Sequence, residues 1–274
     1  MIARVLKAFS VLFFMSLYPL GGHTQTITKL KEFKVKGFSK LTVDRLGNFF
    51  LTFKNGTIRK YDPNGKLMAS VKNKLGEPTL IEPWFHPSIF VYYRKTQQWI
   101  VYDRELKNPQ VNHLDPSIAV DPYLVCPTND NKLLIFDKAD YSVKKIDRFN
   151  SALIFEFKID SAKIARSTDF TFIREYQGMI FLLDKVYGIH MYNSIGKLIH
   201  AIPAQSIENF GFYGEELFYA IDSKVTLLDL YTLKRREIPT KTTFRQSCIT
   251  DERVIGVQNS GRLEILKFQD SNKD

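Results

Sequence analysis

The amino-acid sequence predicts an all-β fold: a six-bladed β-propeller of four-stranded antiparallel blades, the last blade closed by an N-terminal strand. Three observations carry this expectation. Short apolar strands end six times in an aromatic or aliphatic residue followed by a polar one and a turn, at Tyr61-Asp62, Tyr102-Asp103, Ile146-Asp147, Tyr192-Asn193, Leu228-Asp229 and, in degenerate form, Leu266-Lys267. Successive copies lie about 40 residues apart, the length of one four-stranded blade. Between the copies, Gly, Pro, Asn and Asp punctuate the apolar runs, as tight hairpins require. Five or seven blades, or two β-sandwiches, are the alternatives this spacing leaves open.

The first residues stand outside the repeat. Arg4 and Lys7 precede an apolar run from Ala8 to Leu20, followed by Gly21, Gly22, His23 and Thr24. A charged start, a short apolar stretch and a small-residue exit describe a secretory signal peptide, and the run falls short of the roughly 20 residues of a membrane-spanning helix. Cleavage between Thr24 and Gln25 is expected, which makes residues 1–24 a removable leader and residues 25–274 a single domain with no integral membrane segment. Export to a periplasm, to an outer-membrane surface or to the medium follows as an expectation.

Composition narrows the partners. Lys and Arg number 39 against 29 Asp and Glu, a formal net charge of +10, which favours anionic ligands. The bases are dispersed rather than gathered in a stripe, and export argues further against nucleic acid. The two cysteines, Cys126 and Cys248, fall in the third and sixth blades, across the ring from each other. A disulfide needs Cα atoms within about 7 Å, so both are expected as free buried thiols.

Blade one carries the sharpest local pattern. Asp44-Arg45-Leu46-Gly47-Asn48 leads into Phe49-Phe50-Leu51, Asn55-Gly56 into Thr57 to Tyr61, and Asp62-Pro63-Asn64-Gly65 into Lys66-Leu67-Met68. This D-x-x-G-N, strand, N-G, strand, D-x-x-G order resembles the NHL-type and related six-bladed propeller repeats. The resemblance implies the fold and brings no functional residue with it. Later blades follow by spacing and hydrophobicity: Ile89–Tyr92 and Trp99–Tyr102, Leu133–Phe136 and Ser142–Ile146, Met179–Leu182 and Gly188–Tyr192, Leu217–Ala220 and Val225–Leu228, Val254–Val257 and Leu263–Phe268. The sixth blade lacks an outer strand. Lys29 to Lys36 alternates basic and apolar residues, the period of a half-exposed strand, and is expected to complete that blade through Leu30, Phe33 and Val35.

Ligands are expected at a channel mouth. Four acids stand just before an aromatic residue where innermost strands begin: Glu82, Asp121, Asp169 and Glu208. Together they could supply oxygen ligands to Ca²⁺, which takes 6–8 of them, and calcium-dependent lactonases built on six-bladed propellers look similar in outline. The asparagine-rich ligand segments of those enzymes are missing, and Asp before a strand is also an ordinary turn former. Hairpin tips carry Lys54, Lys95, Lys138, Lys185 and Lys224, a candidate ring of bases facing an anionic partner. Trp84, His86 and Tyr123 are the side chains expected beside that face. His190, between Ile189 and Met191, reads as a buried residue. The other histidines lack metal-ligand spacing, and no nucleophile elbow or phosphate-cradling loop occurs.

The expected function is an exported, non-catalytic binding or scaffolding module that recognises a protein or glycan, with no cofactor and no catalytic residue. The alternative is a Ca²⁺-dependent hydrolase or lactonase at the channel mouth. A polysaccharide lyase or glycosidase would need a carboxylate pair that the sequence does not offer.

Overall fold

The recurring polar residue closes the turn between the third and fourth strands of a blade. Asp62 Oδ1 accepts the backbone N–H groups of Asn64 and Lys66 at 2.9 and 2.8 Å. Asp103 does the same for Glu105 and Lys107, and Asn193 for Ile195 and Lys197. Asp147 and Asp229 each hold the two N–H groups that begin their turns. A short side-chain oxygen that bonds its own backbone ahead competes with the strand ladder, so each strand stops where this residue stands. Lys267 has no such oxygen, and its strand runs on to Phe268.

A computed structural model describes residues 27–84, 87–159, 169–250 and 252–268; the expected leader and His86 lie outside the described residues. The chain begins with β1 (Ile27–Lys34), which belongs to the last blade. Blade 1 is β2 (Phe38–Val43), β3 (Phe49–Phe53), β4 (Thr57–Tyr61) and β5 (Leu67–Lys72). Blade 2 is β6 (Leu80–Glu82), β7 (Ile89–Tyr93), β8 (Gln98–Tyr102) and β9 (Gln110–His113), with a single 3₁₀ turn at Arg94–Thr96. Blade 3 is β10 (Pro122–Pro127), β11 (Lys132–Asp137), β12 (Ser142–Asp147) and β13 (Leu153–Lys158). Blade 4 is β14 (Phe170–Tyr176), β15 (Met179–Asp184), β16 (Gly188–Tyr192) and β17 (Leu198–Ile202). Blade 5 is β18 (Gly211–Tyr213), β19 (Glu216–Ile221), β20 (Lys224–Asp229) and β21 (Arg235–Pro239). Blade 6 is β22 (Gln246–Thr250), β23 (Arg253–Val257) and β24 (Arg262–Phe268), completed by β1. The six four-stranded sheets form the ring of a six-bladed propeller.

Register defines two faces. Each innermost strand starts opposite the end of the second strand: Phe38 lies opposite Phe53, Pro122 opposite Asp137 and Phe170 opposite Asp184. These starts share one face, which we call upper, with the tips between second and third strands. The turns between first and second and between third and fourth strands form the lower face.

Apolar side chains between neighbouring sheets hold the ring. Phe136 of blade 3 meets Phe170 of blade 4 edge-on at 4.9 Å, and Phe172 meets Phe210 of blade 5 at 5.1 Å, geometries that suit the ring quadrupoles. His190 is buried against Phe170; burial holds its imidazole below the ordinary pKa, and neither ring nitrogen has a hydrogen-bond partner among the described residues. Cys126 and Cys248 are free and buried, on β10 and β22 of opposite blades.

The closing strand forms as expected, displaced by two residues towards the N-terminus: β1 pairs along β24 from Ile27 opposite Phe268 to Lys34 opposite Arg262. One detail differs. A register shift between Lys29 and Lys31 breaks the alternation, so Leu30 is 48% exposed and makes no core contact. Phe33 and Val35 do the packing. Phe33 lies 5.7 Å from the ring of Tyr61 in blade 1, and Lys31 Nζ donates to the Gly65 carbonyl at 2.9 Å, so β1 also ties blade 6 to blade 1.

Candidate functional site: the two mouths of the channel

The upper mouth is built from the starts of innermost strands and the tips beside them, around a cavity of about 360 Å³. Its basic lining residues are Lys40, Arg94, Lys95, Lys185 and Arg245; its carboxylates are Glu77 and Glu208. Arg245 Nε donates to Glu208 at 2.7 Å. Burial raises the Glu208 carboxyl pKa, but hydrogen bonds from Arg245 and Gln246 outweigh it and hold the group below the usual range. Glu77 accepts the Ser39 hydroxyl. Arg94 donates to the Tyr123 carbonyl at 2.7 Å and lies over the Tyr123 ring. Lys40, on β2, forms no ion pair among the described residues; burial lowers its pKa against the attraction of Glu77 and Glu208. With one carboxylate neutralised by Arg245, the mouth keeps an excess of positive charge.

The five tip lysines all stand on the upper face but point differently. Lys95 and Lys185 line the mouth. Lys138 Nζ lies 4.4 Å from the centre of the Tyr123 ring, at the rim. Lys54 is exposed. Lys224 pairs with Glu237 of the outermost strand at 2.7 Å and so turns away from the channel.

The four acids do not come together. Asp121 and Asp169 stand on the upper face, where their backbone carbonyls accept from Lys138 and Lys185, and Glu208 is taken by Arg245. Glu82 ends its innermost strand instead of preceding it, which puts it at the lower side. There Arg174 Nη2 donates to Glu82 Oε1 at 2.6 Å; Nε also lies 2.6 Å from Oε2, misaligned for a hydrogen bond and attractive through charge alone. Both side chains are buried. Among the described residues no group of three or more His, Cys, Asp or Glu side chains is placed to hold a metal ion.

The lower mouth is the feature that the sequence did not single out. A funnel of about 530 Å³ is lined by Arg45, Trp84, Phe212, Tyr213, Thr250 and Arg253 among others. An annex of about 230 Å³ shares Arg45 and Trp84 and reaches Asn129, Glu175 and Tyr176. Trp84, expected beside the lysines, is therefore on the opposite face. The guanidinium groups of Arg45 and Arg174 lie 5.5 and 5.6 Å from its ring centre, and Tyr176 stacks on Phe212 at 4.0 Å. Burial raises the Glu175 carboxyl pKa.

No protein family matches the chain, and no curated protein matches it either. Solved structures do. The Neurospora crassa Pan2 WD40 domain superposes with a TM-score of 0.61 at 8% identity, covering 90% of this chain and 97% of that one. The β-propeller domain of Myceliophteria thermophila Cps50 (Swd1) gives 0.61 at 11% identity, covering 89% and 100%. Virginiamycin B lyase from Staphylococcus aureus gives 0.56 at 14%, covering 89% and 99%. At these identities the likeness concerns the propeller fold alone.

Proposed function

We propose that this chain is an exported binding propeller without chemistry of its own, and that its upper mouth receives anionic groups presented by a protein or glycan partner. One observation carries the reading: Lys40, Arg94, Lys95 and Lys185 converge on a concave mouth without carboxylate ion-pair partners among the described residues. Like charges crowded in a partly desolvated wall repel, and an incoming anion relieves that repulsion. The lowered pKa of Lys40 agrees with this, since a bound carboxylate or sulfate would raise it again. The leader-like start supports export. The dispersal of the four acids, with Glu82 on the far side and Glu208 bonded to Arg245, favours this reading over a calcium-dependent hydrolase.

The test uses two polyanions, poly-L-glutamate and a sulfated glycosaminoglycan, titrated against the mature chain at several salt concentrations. Binding that weakens with salt is expected, and Lys95→Glu with Lys185→Glu should reduce both the affinity and its salt slope, whereas Lys224→Glu should leave both unchanged. Equal binding by the double variant, or turnover of either polymer, overturns the reading. Intact mass of the exported protein, with Gln25 as its first residue, checks the leader.

A further inference from the structure

We propose that the lower funnel is a second, separate docking site, for a polypeptide segment that inserts an acidic side chain between Arg45 and Arg253 and covers the rim with apolar neighbours. The inference does not depend on the upper mouth. It starts from charge: Arg174 is neutralised by Glu82, but neither Arg45 nor Arg253 forms an ion pair with a described residue, and both line one funnel. Among the described residues Arg253 reaches only the Asn64 amide oxygen, at 3.0 Å, and its Nε is buried without a partner there. The acids nearby have backbone donors of their own. Asp44 accepts from Leu46 N, Asn48 N and Asn48 Nδ2, and Glu175 accepts from Asn129 N. Two guanidinium groups lining one cavity, with no carboxylate partner among the described residues, favour an incoming carboxylate.

The rim says what carries that carboxylate. Leu46, 64% exposed, lines the funnel together with Pro63, Phe212, Tyr213 and Ile249, and Tyr231, 63% exposed, donates its hydroxyl to Gln177 at the annex. A polyhydroxylated sugar gains little from isolated aliphatic and phenyl side chains around an opening, whereas a polypeptide buries them. Trp, Tyr and Arg in a concave patch beside apolar side chains is the composition of protein-binding hot spots. The funnel's volume is also in the range of preformed sites.

Trp84 provides the readout. The chain has two tryptophans, and Trp99 is buried in blade 2, so a Trp99→Phe background leaves Trp84 as reporter. A phage-displayed library of random linear peptides is panned on the full chain, and the selected peptides are synthesised and titrated. The expected peptides carry Asp or Glu flanked by apolar residues and change Trp84 fluorescence. Arg45→Glu with Arg253→Glu should weaken them by about tenfold or more, as removal of a hot-spot contact does, while Lys95→Glu with Lys185→Glu leaves them unchanged. Arg45→Ala alone, at an exposed position, and peptides with the acid replaced by Lys repeat the test without risk to folding. Selected peptides that lack an acid, bind the arginine variants equally, or respond only to the lysine variants overturn the proposal. So does a hexuronate oligosaccharide that moves Trp84 fluorescence when the peptides do not.

Discussion

Glu82 and Arg174 are 92 positions apart in the chain and meet across the channel, joining the innermost strands of blades 2 and 4. Removing one partner of a buried pair leaves an uncompensated charge, so Arg174→Ala should cost about 3–5 kcal/mol, whereas replacing both by apolar residues of similar volume should cost far less; denaturant unfolding of the two variants measures the difference. His190 makes a second residue-level prediction. Its pKa in the folded chain is lowered by burial, so the unfolded chain takes up the proton first, and stability present above about pH 6.5 falls as the pH drops below it. His190→Leu should abolish that step. A further loss follows at more acid pH, where Asp147, held at about 2 by the Lys132 hydrogen bond and by turn N–H groups, protonates earlier in the unfolded chain, from about pH 4 downwards. The sequence shows neither feature fully. That His190 is flanked by apolar strand residues is legible, but a pair 92 residues apart belongs to ring closure. Glu82 was misplaced because an acid before Pro and an aromatic looks the same whether a strand is starting or ending.

At the scale of elements, most of the fold could be read directly. The Asp and Asn residues that mark the repeat are legible because each bonds its own backbone within a few positions, so sequence and geometry coincide. The closing strand is legible for a different reason: a sixth blade with three strands leaves an open edge, and one alternating segment was left to fill it. Its exposed Leu30 was not legible, since a bulge inverts the pleat without altering the residue pattern. Deleting residues 25–36 should lower the thermal midpoint far more than deleting residues 271–274, and should promote self-association through the bared edge of β24; calorimetry and light scattering check both. Gly65 tests the seam between first and last blades. It has a φ of +75°, and an added Cβ would come within 2.8 Å of Ile265 and 3.2 Å of Phe33. Gly65→Ala should therefore destabilise by about 1 kcal/mol or more through backbone strain and loosen β1 selectively, visible as faster amide exchange at Lys31 to Lys34.

Taken whole, the molecule has unlike faces, cationic above and aromatic below, with two guanidinium groups there that form no ion pair among the described residues. The lysine tips were legible, but the division between mouth-lining Lys95 and outward Lys224 was not, because each direction is set by a cross-strand or cross-blade neighbour. The lower funnel was missed because its residues, Arg45, Trp84, Tyr176 and Arg253, come from four blades and share no local motif. The route of β1 also fixes how the ring would hang from anything attached to it. Ile27 lies opposite Phe268, at the lower end of blade 6's outer edge, so both ends of the described chain leave on the lower side of the rim. A tether at either end turns the aromatic funnel towards its support and leaves the cationic mouth facing open solution. Joining those ends and opening the chain at Lys74, in the upper-face connection between blades 1 and 2, would suspend the same ring the other way up.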